Sequence, residues 1–373
     1  MRQKIPYINL SAQWDQEREK LLPILNRIFA SGQYVGGQEI TEFENQVAQY
    51  CGVKYAVALN SGTDALFCGL VALGIGSGDE VITPPNSFIA STAAIVHCGA
   101  KPVFVDVNPD QNINPEMIES AITQKTKSIM PVHLTGRVAD MRPILEIAEK
   151  YQLSVIEDAA QSIGSMYDNQ LAGGMGTIGC FSTHPLKNLN ACGDGGFLTT
   201  NKKDIAEKIV LMRNHGLIDR NKVVRFGIVS RMDTIKAAIL NYRLQGLPDV
   251  IEKRRKNAAL YHQLLNSESV FYPPEKGIEF NTYHTFVIQV KKRDELQSYL
   301  EKKGIGTSIN YPIPIHLQPS SQFLGYKASD FPITEEQAKH ILSIPIHQFL
   351  SKNDIQKIAQ SINEFFEGKR FAN

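Results

Sequence analysis

Short apolar, β-branched runs bounded by turn residues recur through the first two thirds of the chain. They are "YAVALN" (Tyr55–Asn60), "EVITPP" (Glu80–Pro85), "KPVFVDV" (Lys101–Val107), "KSIMPVHL" (Lys127–Leu134), "LSVIEDAA" (Leu153–Ala160), "IGCFSTH" (Ile178–His184) and "GGFLTTN" (Gly195–Asn201). Helical spacing separates most of them: Leu66, Leu70 and Leu73 share one helix face, and Arg142–Tyr151 carries another helix before "LSVIEDAA". Strands apolar on both faces, alternating with helices, predict an α/β fold around a mainly parallel sheet covered on both sides. The last two runs follow too closely for a crossover helix, which predicts an antiparallel pair.

From Met232 to Leu265 the pattern is helical on both sides of "QGLPD", and beyond it come "TYHTFVIQV", "GIGTSINYP" and a closing helix over Asn353–Phe366. This predicts a large domain over residues 1–245 and a small C-terminal α+β domain over 246–373, joined by a helical hinge near Gly246. The basic run "EKRRK" (Glu252–Lys256) falls in the helical stretch and reads as a solvated helix face.

Composition narrows the class. The 373 residues are 43% hydrophobic and 21% charged with a net charge of +1, so no field favours nucleic acid or an anionic membrane. Cys51, Cys68, Cys98, Cys180 and Cys192 are odd in number and never spaced C-x-x-C, which argues against a disulfide framework or a zinc site. The N-terminus lacks the apolar stretch of a signal peptide and no apolar run is long enough to span a bilayer. The expectation is a soluble, cytoplasmic protein without a metal.

The candidate chemistry lies at the ends of the predicted strands. "NSGTDAL" (Asn60–Leu66) follows one strand and opens a helix. It is either an ordinary capped junction or a phosphate seat built from free N–H groups and the helix dipole. Asp158 ends the strand in "VIEDAAQSIG", where ligands bind in open α/β sheets. Its partner is a helix N-terminus, a basic side chain or the protonated nitrogen of a pyridine ring. Lys187 lies between "FSTH" and the glycine-rich "GDGG". A lysine there is a solvated residue or, if desolvated, a nucleophile able to form a Schiff base with an aldehyde cofactor. Ser182 and the "SGT" turn would then take the cofactor's phosphate. Phe88 in "PPNSFIAST" would stack on its ring or pack as a core residue.

Taken together, these segments resemble the DegT/DnrJ/EryC1/StrS family of sugar aminotransferases, which use pyridoxal 5'-phosphate on the fold-type I scaffold with a seven-stranded sheet. The resemblance runs from "IPYINL" through "GQYVGGQEITEFE", "NSGTDAL", "GDEVITPP", "VIEDAAQSIG", "FSTHPLKNLNACGDGG" and "SRMDTIKAAIL" to "INYPIPIH" (Ile309–His316). It implies that Lys187 bonds to the cofactor aldehyde and then shuttles the proton, and that Asp158 keeps the pyridine nitrogen protonated. Gln161 would sit by the ring hydroxyl. Ser61, Gly62, Thr63 and Ser182 would bind the phosphate, and Phe88 would cover the ring. It further implies a homodimer with shared active sites, Arg231 of "SRMD" reaching the neighbouring subunit's site.

Substrate-side candidates by the same resemblance are His184, Asn310, Tyr311, His316 and Arg231, with His184 as readily packing beside the cofactor; His133 reads as structural. Two positions depart from the family: Val229 stands where many relatives carry a phosphate-contacting asparagine, and Asn310 replaces the histidine of I-H-Y-P. The implied reaction moves an amine from glutamate to a nucleotide-linked keto-sugar, with C3 favoured over C4 by "HPLKN" and "INYPIPIH", toward polysaccharide such as lipopolysaccharide. A dehydratase on the same scaffold would carry histidine in place of Lys187. A regulatory protein would have lost part of the Asp158–Gln161–Lys187 set. A nicotinamide enzyme would need G-x-G-x-x-G directly after a strand, and "GIGSG" (Gly74–Gly78) precedes one instead; no P-loop is present.

Overall fold

The computed structural model describes residues 4–368. Two long N-terminal helices, α1 (Leu10–Ser31) and α2 (Gln38–Tyr50), precede the alternating region. That region contains β1 (Tyr55–Leu59), α3 (Gly62–Ala72), β2 (Glu80–Thr83), α4 (Ile89–His97), β3 (Lys101–Phe104), β4 (Thr126–Ile129), α5 (Met141–Lys150) and β5 (Ser154–Asp158). A small ribbon, β6 (Met166–Tyr167) and β7 (Gln170–Leu171), leads to β8 (Ile178–Ser182), β9 (Gly196–Thr200) and α6 (Lys203–Met212).

All seven apolar runs become strands of one seven-stranded sheet, ordered β1-β9-β8-β5-β4-β2-β3. Strands β8, β5, β4, β2 and β3 are mutually parallel, and β9 runs antiparallel to both β8 and β1. Adjacent strand residues serve opposite faces: Val155 and Phe197 join the core under α2 and α5, and Ile156 and Leu198 the core under α3, α4 and α6. Both faces are therefore dry, as parallel strands require.

The helical stretch expected on both sides of "QGLPD" is continuous through it. Residues Thr234–Leu264 form one 31-residue helix, α7, with Pro248 inside it. Proline removes one backbone hydrogen bond and crowds the preceding turn. Here Leu244, Leu247 and Ile251 anchor the helix into the core on both sides of the exposed Pro248. The first half of α7 belongs to the core of the large sheet. Ala258 and Tyr261 in its second half belong to a separate C-terminal core. The 245/246 division thus falls inside a continuous helix.

That second core is built on β11 (Phe286–Gln289) paired antiparallel with β12 (Ile341–Ile344), and is covered by α8 (Arg293–Lys302) and α10 (Lys352–Glu367). Strand β10 (Glu279–Phe280) returns to β6, and α9 (Pro332–His340) precedes β12. Helix α10 starts at a capping box of Ser351 and Asp354 and buries Ile355, Ile358, Ile362 and Phe365 along one stripe. Ile5 also packs in this core and bridges Ile305, so the beginning of the chain belongs with its end. Among the described residues no helix is long and apolar enough to cross a membrane.

Candidate active site

The carboxyl ends of β1, β2, β5 and β8 face one cavity of about 420 Å3, closed on its other side by the N-terminal segment, α7 and the C-terminal unit. Ser61, Gly62, Thr63, Phe88, Asp158, Gln161, Ser182, His184, Lys187, Asn310 and Tyr311 all line it.

The phosphate-seat reading of "NSGT" has a geometric basis. Ser61 caps α3 by accepting from the Asp64 amide at 3.0 Å. The first turn of the helix presses onto β8: a Cβ at Gly62 would lie 2.8 Å from the Ser182 Cβ, and one at Gly196 would lie 2.5 Å from the Gly62 nitrogen. Only glycine permits that approach. It brings the positive end of α3 against the Ser182 hydroxyl, the arrangement an anion occupies.

Asp158 is 5% exposed. Its Oδ2 accepts from the Ser91 hydroxyl at 2.7 Å and its Oδ1 from the Ala160 amide at 3.2 Å. Burial raises its pKa, and the hydrogen bonds and the Lys187 charge pull it back. Among the described residues no ion pair satisfies this carboxylate, so its place is that of a base awaiting a cation. Burial pushes Lys187 down to about 8, against the opposing pull of Asp158. A substantial fraction of its amine is then neutral near pH 8, the form that attacks a carbonyl.

Gln161 accepts from the Thr135 amide at 2.7 Å and meets Tyr311. Phe88 is 54% exposed, a ring held at the cavity wall, and packs at 5.6 Å against Tyr311. His184 accepts from the Leu186 amide through Nδ1, and burial and the nearby Lys187 charge lower its pKa. Asn310 reaches Tyr7 and Ser343. A pocket with a glycine-cleared helix start beside a serine, a phenylalanine ring on its wall, a buried carboxylate without an ion pair and a lysine of lowered pKa fits the phosphate, ring, ring nitrogen and aldehyde of pyridoxal 5'-phosphate.

One expected site residue lies elsewhere. His316 is buried against Phe331, with its Nε2 on Glu335 at 3.1 Å; that small apolar cluster draws it away from the cavity. Arg231, expected at the neighbouring subunit's site, is exposed, donates to Asn214 and does not line the cavity of its own chain; Val229 near it is also exposed. His133 is fully buried between Glu157 and the Ala139 amide, a structural position as expected.

Other residues join the site unannounced by sequence. His284 lines the cavity, and burial with the Lys187 and Arg254 charges keeps it neutral. Arg254, read as part of a solvated face, is 6% exposed and lines the same cavity. The signal was its register. It falls on the buried stripe of Leu244, Leu247, Ile251, Ala258 and Tyr261.

Comparison with known proteins agrees with this geometry. Residues 15–363 match the DegT/DnrJ/EryC1/StrS aminotransferase family. A "Pleiotropic regulatory protein" of Geobacillus stearothermophilus is 40% identical over 97% of this chain and 98% of its own length. The dTDP-3-amino-3,6-dideoxy-alpha-D-galactopyranose transaminase of Aneurinibacillus thermoaerophilus is 39% identical over 97% of this chain and 99% of its own. The crystal structure of S. venezuelae DesV in complex with a ketimine intermediate superimposes with a TM-score of 0.95 at 35% identity, covering 98% of this chain and 99% of that one. The chain belongs to the DegT/DnrJ/EryC1/StrS family and is a pyridoxal-phosphate-dependent sugar aminotransferase.

Proposed function

We propose that the protein transfers the amine of glutamate to C3 of a keto-sugar linked to a nucleoside diphosphate. The observation that carries this reading is the meeting of Lys187, Asp158 and the glycine-cleared start of α3 in one cavity. The C3 preference is supported by the relative that makes a dTDP-linked 3-amino sugar. The product would serve polysaccharide assembly in the cytoplasm, where reducing conditions keep the five cysteines as thiols.

In this mechanism Ser61, Gly62, Thr63 and Ser182 would hold the phosphate of pyridoxal 5'-phosphate, Phe88 would cover its ring and Gln161 would lie on the side of its hydroxyl. The cofactor supplies an electron sink for the bonds that break at the amine-bearing carbon. Asp158, held by Ser91 and the Ala160 amide, would pair as a carboxylate with the ring nitrogen. Lys187 would tether the cofactor between turnovers and, as a free amine, would take a proton from the donor carbon and later deliver one to the sugar carbon. Its lowered pKa suits both directions near neutral pH. Arginine could not replace it, because arginine keeps its proton.

The same reading makes the protein a homodimer. Trp14, Leu22 and Phe29 of α1 stand exposed, and Phe226 is 99% exposed; a lone chain rarely leaves so much apolar surface to water. Arg231, absent from its own cavity, then serves its partner's. The regulatory alternative has the names of two relatives behind it, a pleiotropic regulatory protein and a sensory transduction protein, but nothing in the Asp158–Gln161–Lys187 set has been lost.

The test is the reverse reaction: holoenzyme, 2-oxoglutarate and a panel of dTDP- and UDP-linked amino sugars, with glutamate as the product measured. Reaction with 3-amino sugars supports the assignment. Reaction confined to 4-amino sugars overturns it.

A further inference from the structure

A guanidinium in the buried stripe of a long helix demands a reason, because every neighbour on that stripe is apolar or small. Arg254 sits where α7 passes from the large core to the C-terminal core, on the cavity wall opposite the strand ends. Its Nη1 donates to the backbone carbonyls of Tyr283 and His284, each at 3.1 Å. Its Nε has no hydrogen-bond partner, and no carboxylate pairs with it among the described residues. A buried cation with free donors is costly unless a ligand completes it.

The surroundings favour an anion of the substrate. Tyr7 and Asn310 line the same wall and hydrogen-bond each other at 3.4 Å. Tyr7 accepts in that bond and keeps its own hydroxyl hydrogen to offer, Asn310 orients it, and the neutral His284 adds no competing charge. The carboxylates of the cavity, Asp158 at the end of β5 and Asp194 in the loop between β8 and β9, lie away from this wall, which carries no negative group of its own.

Resting on the aminotransferase reading above, we propose that Arg254, assisted by Tyr7 and Asn310, is the seat for a substrate carboxylate, and specifically for a carboxylate of the amino donor. The two carbonyls on Nη1 hold the planar guanidinium in one orientation, leaving its remaining edge for the planar acid. A donor clamped there meets Lys187 and Asp158 across the cavity. The fit selects amino acids over simple amines. An acidic sugar carries the same chemistry, so donor and sugar must be separated by experiment.

The experiment mixes holoenzyme rapidly with glutamate and follows the loss of the cofactor's visible band, in the parent, Arg254→Gln and Arg254→Lys. In Arg254→Gln the half-saturating glutamate concentration should rise about 10- to 100-fold, the span of a lost charge-assisted hydrogen bond, with Arg254→Lys in between. The effect should fall on half-saturation far more than on the limiting rate. A second readout is calorimetric binding of glutarate, which has the carboxylates and no amine. It should weaken by the same factor, which a role confined to bracing the Tyr283–His284 backbone would not produce.

Equal glutarate affinity in parent and Arg254→Gln overturns the seat. Unchanged glutamate kinetics with weakened uptake of a uronate sugar nucleotide overturns the assignment to the donor. If the parent itself ignores glutamate, the donor reading of the enzyme fails, and the glutarate titration still decides whether Arg254 binds carboxylate.

Discussion

Replacing Lys187 by methionine should stabilise the cofactor-free protein, by an amount that the pH sets. The amine sits at about 8 in the folded chain against 10.5 as its ordinary value, mainly because burial penalises its charge. Below pH 8 the folded protein carries the whole cost of that buried charge. The cost is relieved as pH rises from about 8 to about 10.5, because over that window the unfolded chain holds more protons. At 1.36 kcal/mol per unit the burden is about 3 kcal/mol at pH 7. Asp158 loses its nearby cation in the variant, which trims the gain. For a chain of this length the remainder corresponds to a rise in Tm of about 4 °C or less. Scanning calorimetry of apo-protein and apo-Lys187→Met at pH 7 and at pH 10.5 reads both points. The variant should melt higher at pH 7, and the gap should close by pH 10.5. A variant equal to or below the parent at pH 7, or a gap that is independent of pH, would refute a desolvated Lys187.

The other expectations can be checked together. Asp158→Asn should keep the fold and retain the cofactor while turnover falls roughly 10²–10³-fold, the cost of breaking a buried charged pair, read as kcat in the steady state. Gly62→Ala pushes a methyl to 2.8 Å from the Ser182 Cβ. It should cost about 1–3 kcal/mol in denaturant unfolding and weaken retention of the cofactor phosphate in dialysis. Glu157→Ala removes the carboxylate that gathers His133 and the amides of Gly173, Met175 and Gly176. It should destabilise by about 3–5 kcal/mol, because several buried groups are stranded at once.

What the sequence could convey follows from physical range. Most of the seven strands lie in apolar runs bounded by turn residues, so local pattern alone marked them, and the nine residues between "TIGCFST" and "GDGGFLTT" left no room for a crossover helix. Lys187, Asp158, Ser182 and the "NSGT" turn were legible because strand ends carry ligands by topology. Arg254 was misread because a basic run looks solvated until its register against Leu247, Ile251 and Ala258 is counted. His284 and Tyr7 carry no local signal: they reach the cavity through the pairing of Ile5 with Ile305 and the return of the chain from β10 to β11. The helical connection near Gly246 was legible as such, and core contacts on both sides of Pro248 hold it as one continuous helix. His316 followed a family pattern, and a few neighbouring side chains turned it elsewhere.

The most direct measurement is the absorbance spectrum of the purified holoenzyme before glutamate, after it, and after a chase with a 3-keto-sugar nucleotide, beside Lys187→Ala treated alike. The account predicts a visible band in the parent that glutamate abolishes and the keto-sugar restores, with Lys187→Ala binding pyridoxamine phosphate yet completing no cycle. Turnover by Lys187→Ala comparable to the parent, or no band in the parent with pyridoxal phosphate added, would contradict it.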